Sequence, residues 1–193
     1  MTMRHATTRR CLVAAMLVSL SAAASAADAD SQWKMRVPAH ARIGNTPVKT
    51  AEFEFACTAG EGGALQIALI LPPAEDIKSF KLDEFEGPDG IGETHKLAEW
   101  SVSGGKHPAR MRSSISGWRG VDGDGFLLAT ARESAHASDL ARLAKHLVAS
   151  DQARLRLVVK PLHTGEALKV EAAIDGHREA IEKIVAPCLK PVK

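Results

Sequence analysis

Between residues 51 and 57, apolar and polar side chains alternate one for one. Ala51, Phe53, Phe55 and Cys57 fall on one side, and Glu52 and Glu54 on the other. Successive side chains of a strand point to opposite faces. This period of two therefore predicts a strand with the first set in a core and both glutamates in water. Residues 58–63, with Gly60, Gly62 and Gly63, predict a flexible turn. Leu65, Ile67, Leu69 and Leu71 make the next inward stripe, ended by Pro72 and Pro73, and the two runs read as a hairpin. Residues 27–46 read as a loose start with one short strand over 33–37. Strand-like runs resume over 97–102, 109–118 and 126–132. In the first of these Trp100 alternates with Ala98 and Val102, which makes it a core residue. Residues 81–90 form an acidic loop with Asp83, Glu84 and Glu86, anchored by Phe80 or Phe85.

The period changes at residues 139–149. Leu140, Leu143, Ala144 and Leu147 share one helical stripe, and Ser138 is placed as an N-cap. Alternation returns with Leu155, Leu157 and Val159, and again with Leu168, Val170, Ala172 and Ile174. Asp175-Gly176 then leads into a final helix, where Ile181, Ile184, Val185 and Cys188 follow the i, i+3, i+4, i+7 spacing. The sum is roughly seven to nine strands, mainly antiparallel by their short connections, and two helices. The fold predicted is mainly β (α+β). It is an antiparallel β-sandwich-like domain with two helices, the last one C-terminal.

The first residues change what the charge means. Arg4, Arg9 and Arg10 precede an apolar stretch from Cys11 to Leu20, and small residues follow up to Ala24-Ser25-Ala26. This is the pattern of a secretory signal peptide, with cleavage placed after Ala26 and Ala27 as the near alternative. The apolar stretch is too short to span about 30 Å of hydrocarbon. Residues 1–26 are thus read as a signal peptide and residues 27–193 as a single β-rich domain. That domain is periplasmic or secreted in a Gram-negative bacterium and has no integral membrane segment. The whole chain carries 25 basic and 23 acidic residues. Without the three signal arginines the balance is 22 to 23, a net charge near −1. The net charge therefore argues against a nucleic-acid partner or an anionic membrane.

Of three cysteines, Cys11 lies in the signal, leaving Cys57 and Cys188. Two cysteines in an exported chain suggest one disulfide. Both lie on inward faces, one on a strand and one on a helix. The loop closed would hold about 130 residues, a contribution of roughly 4–5 kcal/mol on the chain-entropy account.

Chemical motifs are sparse. Asp122-Gly123-Asp124-Gly125 resembles the opening of a calcium loop and Glu133 falls at position twelve, but Phe126 stands where a ligand is needed. A hairpin turn explains it better. His40, His95, His107, His136, His146, His163 and His177 show no paired metal-ligand spacing, so no metal or cofactor is expected. Ser113 to Gly117 lacks a nucleophile elbow, and Gly60 to Gly63 lacks the lysine of a phosphate loop. There is no tyrosine, and Trp33, Trp100 and Trp118 are dispersed. Asp83, Glu84 and Glu86 are the candidates for paired-carboxylate glycoside chemistry, which needs two carboxyl groups about 5–10 Å apart across a cleft.

The helix over residues 140–147, the strand over 153–159, the strand over 168–174 and the glycine-led helix over 175–184 together resemble the invasion-associated locus B family. These are small exported proteins of Gram-negative bacteria. The resemblance covers about 50 residues of the C-terminal third. It implies a mainly-β periplasmic protein without enzymatic activity, and it carries no functional residue across. Periplasmic lysozyme inhibitors are a second comparison, some with a Ser-Gly-x-x-Tyr loop. Neither Ser103-Gly104 nor Ser116-Gly117 is followed by the tyrosine. The function expected is an exported, non-catalytic binding, inhibitory or envelope-associated protein, with a protein or cell-envelope partner. The competing expectation is a periplasmic cell-envelope hydrolase using Asp83 and Glu86.

Overall fold

A computed structural model describes residues 32–58, 64–73, 77–87, 95–105, 108–120, 125–130, 133–134 and 138–190. Residues 1–26, read above as a signal peptide, the glycines at 60, 62 and 63, and Asp122, Asp124, His107 and His136 lie outside them.

Two antiparallel sheets face each other. In the first, β1 (Gln32–Pro38) pairs with β4 (Glu52–Thr58), and β4 with β5 (Ala64–Leu71). Next come β9 (Phe126–Ala129) and β8 (Ser116–Arg119), while the short β10 (Glu133–Ser134) continues the far side of β5. The second sheet runs β3 (Thr46–Val48), β2 (His40–Ile43), β12 (Leu168–Ala173), β11 (Arg154–Val159), β6 (Ala98–Ser103), β7 (Ala109–Ser113). Of the two helices, α1 (Asp139–Val148) packs on β6 and β7 of the second sheet and reaches β5, α2 (Arg178–Leu189) packs on β1, β4 and β5 of the first, and they pack on each other. This is the expected β-sandwich-like α+β fold with the second helix C-terminal.

The core is what alternation predicts. Phe53, Phe55, Cys57, Leu65, Ile67, Leu69 and Leu71 point in from the first sheet, and Trp100, Leu155, Leu157, Val159, Leu168 and Val170 from the second. Phe53 and Trp100 join the layers, with ring centroids 6.0 Å apart. Both Phe80 and Phe85 are buried and stack at 5.5 Å. On α1 the stripe of Leu140, Leu143, Ala144 and Leu147 is buried, and the Ser138 hydroxyl accepts from the Ala141 N–H at 3.0 Å. Cys188 of α2 is bonded to Cys57 of β4 with a Cα–Cα distance of 5.9 Å, inside the range such bridges span.

Four expectations change. The run over 109–118 is two strands, because the chain leaves the second sheet after Ser113 and enters the first at Ser116. Ile115 is fully buried at the crossing. A strand that switches sheets at a corner is one way a sandwich closes. The run over 126–132 also breaks, after Ala129. The Thr130 N–H still donates to the Ile67 carbonyl at 3.1 Å, and its hydroxyl completes the ladder, accepting from the Ile67 N–H and donating to the same carbonyl, both at 3.3 Å. Glu54 does not stand in water. It is 7% exposed, because Arg36 lies directly opposite on β1 and its Nε donates to Glu54 at 3.0 Å. The loose start contains a hairpin, β2 to β3. Its two-residue turn puts Gly44 first at φ 57°, the backbone demanded of glycine in a type II′ turn. Pro47 is accepted in β3 because that strand is an edge. Among the described residues no helix is long and apolar enough to cross a membrane.

Candidate functional site

The acidic loop folds as a 3-10 turn over Leu82–Phe85 that buries Leu82 and Phe85 and leaves the carboxylates outside. Arg119 of β8 gathers two of them, with Nη2 2.6 Å from Asp83 and Nε 3.4 Å from Glu86. Glu86 foremost, then Asp83, hold the Arg119 guanidinium above its ordinary pKa. The Asp83 side chain is 78% exposed. Asp83 and Glu86 thus meet around a cation on an open surface. Glu84 departs from them, pairs with Lys81 at 3.6 Å, and lines a cleft of about 130 Å³ with His163 and Glu166. Sites for small molecules usually enclose a few hundred Å³.

The remaining candidates do not assemble. The Cys57 thiol is consumed in the disulfide. Ser113 accepts a hydrogen bond from Trp100 Nε1 at 3.0 Å, which fixes the indole in the core. Among the described residues, no three His, Cys, Asp or Glu side chains come together as metal ligands would.

A different feature stands out once the strands are in register. The outward residues of the second sheet form rows across it. One row reads Arg110, Ser101, Arg156, Glu171, His40. The next reads Arg112, Glu99, Val158, Lys169, Arg42, Pro47. Arg154 opens a third row, opposite Ser103 and Ala173. Six strand cations (Arg42, Arg110, Arg112, Arg154, Arg156, Lys169) therefore share one face with two carboxylates, Glu99 and Glu171. The carboxylates are already engaged: Arg112 and Lys160 hold Glu99 at 3.4 and 3.7 Å, and Arg154 holds Glu171 at 3.0 Å. Arg42, Arg110, Arg156 and Lys169 have no ion pair with any described residue.

The β2–β3 hairpin gives one end of this face relief. An open hollow of about 670 Å³ is lined there by His40, Arg42, Asn45, Lys49, Arg156 and Lys169, among others. The small net charge is an average over the whole surface. It conceals a segregation in which one sheet face is strongly cationic, so the argument from net charge does not extend to that face.

The fold and this face define a disulfide-closed β-sandwich with a cationic open sheet. No protein-family model matches the chain, and neither the curated proteins nor the solved structures yield a match.

Proposed function

We propose that the protein is an exported, non-catalytic binding module that holds an anionic component of the cell envelope against the open face of its second sheet. The observation that carries this is the imbalance of six strand cations over two carboxylates on one face, with four of the cations in no ion pair with a described residue. Such an array attracts anions over a Debye length of about 8–10 Å in physiological salt. The signal-like residues 1–26 and the disulfide support a periplasmic or secreted site of action. Asp83 and Glu86, shared by Arg119 on an open surface, favour binding over the hydrolase alternative. The C-terminal likeness to the invasion-associated locus B family points the same way.

The test is co-sedimentation of the periplasmic protein with isolated envelope fragments. Binding should weaken steeply with salt and be lost in an Arg110→Glu, Arg156→Glu double variant, while Lys34→Glu on the other sheet leaves it intact. An intact mass lacking residues 1–26 would confirm processing. Binding indifferent to charge reversal would overturn the reading. So would muropeptide release that Glu86→Gln abolishes.

A further inference from the structure

Arg42 of β2 and Lys169 of β12 are directly opposite in an antiparallel pair. Strands in a sheet lie about 4.8 Å apart, and like charges placed opposite one another destabilise the pairing. Elsewhere on the same face the register avoids this: Arg112 stands opposite Glu99, and Arg156 opposite Glu171. Arg42 and Lys169 have neither an ion pair nor a side-chain hydrogen bond with any described residue. Arg156 lies diagonally from Lys169, a separation of about 7–8 Å on a sheet, and Lys49 lines the same hollow from the far side of the hairpin. The one carboxylate in the lining, Glu171, is drawn to Arg154 at 3.0 Å.

From this geometry we infer that the hollow is a binding site for a phosphomonoester group, with Arg42, Lys169 and Arg156 as its ligands. The inference rests on the anionic-partner reading above and names its chemistry. A phosphomonoester carries about −1.5 to −2 charges at neutral pH and three acceptor oxygens. It can answer three cations that line one hollow. A carboxylate, with one charge and two oxygens, leaves one of them unanswered. Arginine grips phosphate through two parallel N–H donors, and lysine adds a point charge. About 670 Å³ also leaves room for the group that carries the phosphate. His40 and Asn45 are the lining side chains suited to its hydroxyls, and no Phe, Tyr or Trp lines the hollow as a broad platform for a base. The ligand class is therefore a phosphorylated sugar or polyol, free or borne on a lipid.

The experiment is calorimetric titration of the disulfide-bonded protein with glucose 6-phosphate, glucuronate and glucose. Wild type should bind the phosphate, prefer it to glucuronate, and ignore glucose. In Arg42→Ala, Lys169→Ala the affinity should fall at least about tenfold, as loss of charge-assisted hydrogen bonds implies. Arg110→Ala, Arg112→Ala, at the other end of the face, should lose clearly less, and Lys34→Ala on the other sheet should bind as wild type. Without phosphate the Arg42→Ala, Lys169→Ala protein should melt no lower than wild type, because a repulsive pair has been removed. Added glucose 6-phosphate should raise the melting temperature of wild type alone. Vesicles of phosphatidylcholine with one-fifth phosphatidic acid separate the sources. Capture that glucose 6-phosphate competes away assigns a lipid-borne group, and sugar-phosphate binding without capture assigns a soluble one. Equal loss in both double variants would overturn the site but leave the cationic face standing. Equal affinity for glucuronate would overturn the phosphate class. Salt-insensitive binding, unchanged in both variants, would overturn the site and the anionic-partner reading together.

Discussion

Phe53 of β4 and Trp100 of β6 meet across the sandwich with their ring centroids 6.0 Å apart and their planes tilted by 47°. They are among the largest side chains of the core, and both are fully buried. Trp100→Ala should cost about 3–5 kcal/mol, the usual range for emptying an aromatic site in a core. Trp100→Phe should cost less. It keeps most of the volume but strands the Ser113 hydroxyl that now accepts from the indole N–H. Denaturant unfolding checks the order. If both variants unfold at the wild-type midpoint, the sheets are not held together here.

The bond between Cys57 and Cys188 spans 131 positions of sequence. Constraint of so long a loop in the unfolded chain corresponds to roughly 4–5 kcal/mol on the chain-entropy account. Cys57→Ala, Cys188→Ala should therefore melt well below wild type, and reduction of wild type should lower its melting temperature to a similar degree. A double variant that melts with wild type would mean that α2 is held by packing alone.

Thr130→Val should expose how the ladder is mended beside β5. The hydroxyl serves both backbone groups of Ile67, and Thr130 is 2% exposed. Valine keeps the shape and leaves the buried Ile67 N–H without its partner, at a cost of about 1–3 kcal/mol. Hydrogen exchange at Ile67 should accelerate. Unchanged protection there would show that the hydroxyl is dispensable.

Gly117 lies beneath an aromatic ring. A Cβ at this position would sit 2.4 and 2.5 Å from two Phe126 ring carbons and 3.1 Å from the Phe85 carbonyl oxygen. Gly117→Ala should cost about 1–3 kcal/mol by overpacking. Adding Phe126→Leu should recover part of that loss. A Gly117→Ala protein as stable as wild type would show that the ring has room to move.

The parts of the fold that could be read in advance are those where burial imposes a period. β4, β5, β11 and β12 repeat every second residue because one face of each is in the core; Cys57 falls on that face of β4, and Cys188 on the buried side of α2. The β2–β3 hairpin escaped because four residues of His40-Ala41-Arg42-Ile43 give too short an alternation, although Gly44-Asn45 is a hairpin turn signal. The split between β7 and β8 escaped because the period of two runs on across the crossing, with Ala109, Met111 and Ile115 all inward. The cationic face was hidden for another reason. Arg42, Arg110, Arg156 and Lys169 lie on four strands far apart in sequence, and each alone is an ordinary outward residue. Only strand order and register set Arg42 against Lys169.

The disulfide also sets a clock. At about 5–20 residues per second of synthesis, Cys188 follows Cys57 by roughly 7–25 s. Through that interval β4 can already pair with β5, while its thiol has no proper mate. The sequence holds one other cysteine, Cys11, within the signal-like segment. A Cys11–Cys57 bond formed in that time would tether the wrong end of the molecule. On the proposed export, removal of residues 1–26 would take Cys11 with it, and cleavage before oxidation would leave Cys57 and Cys188 as each other's only mates.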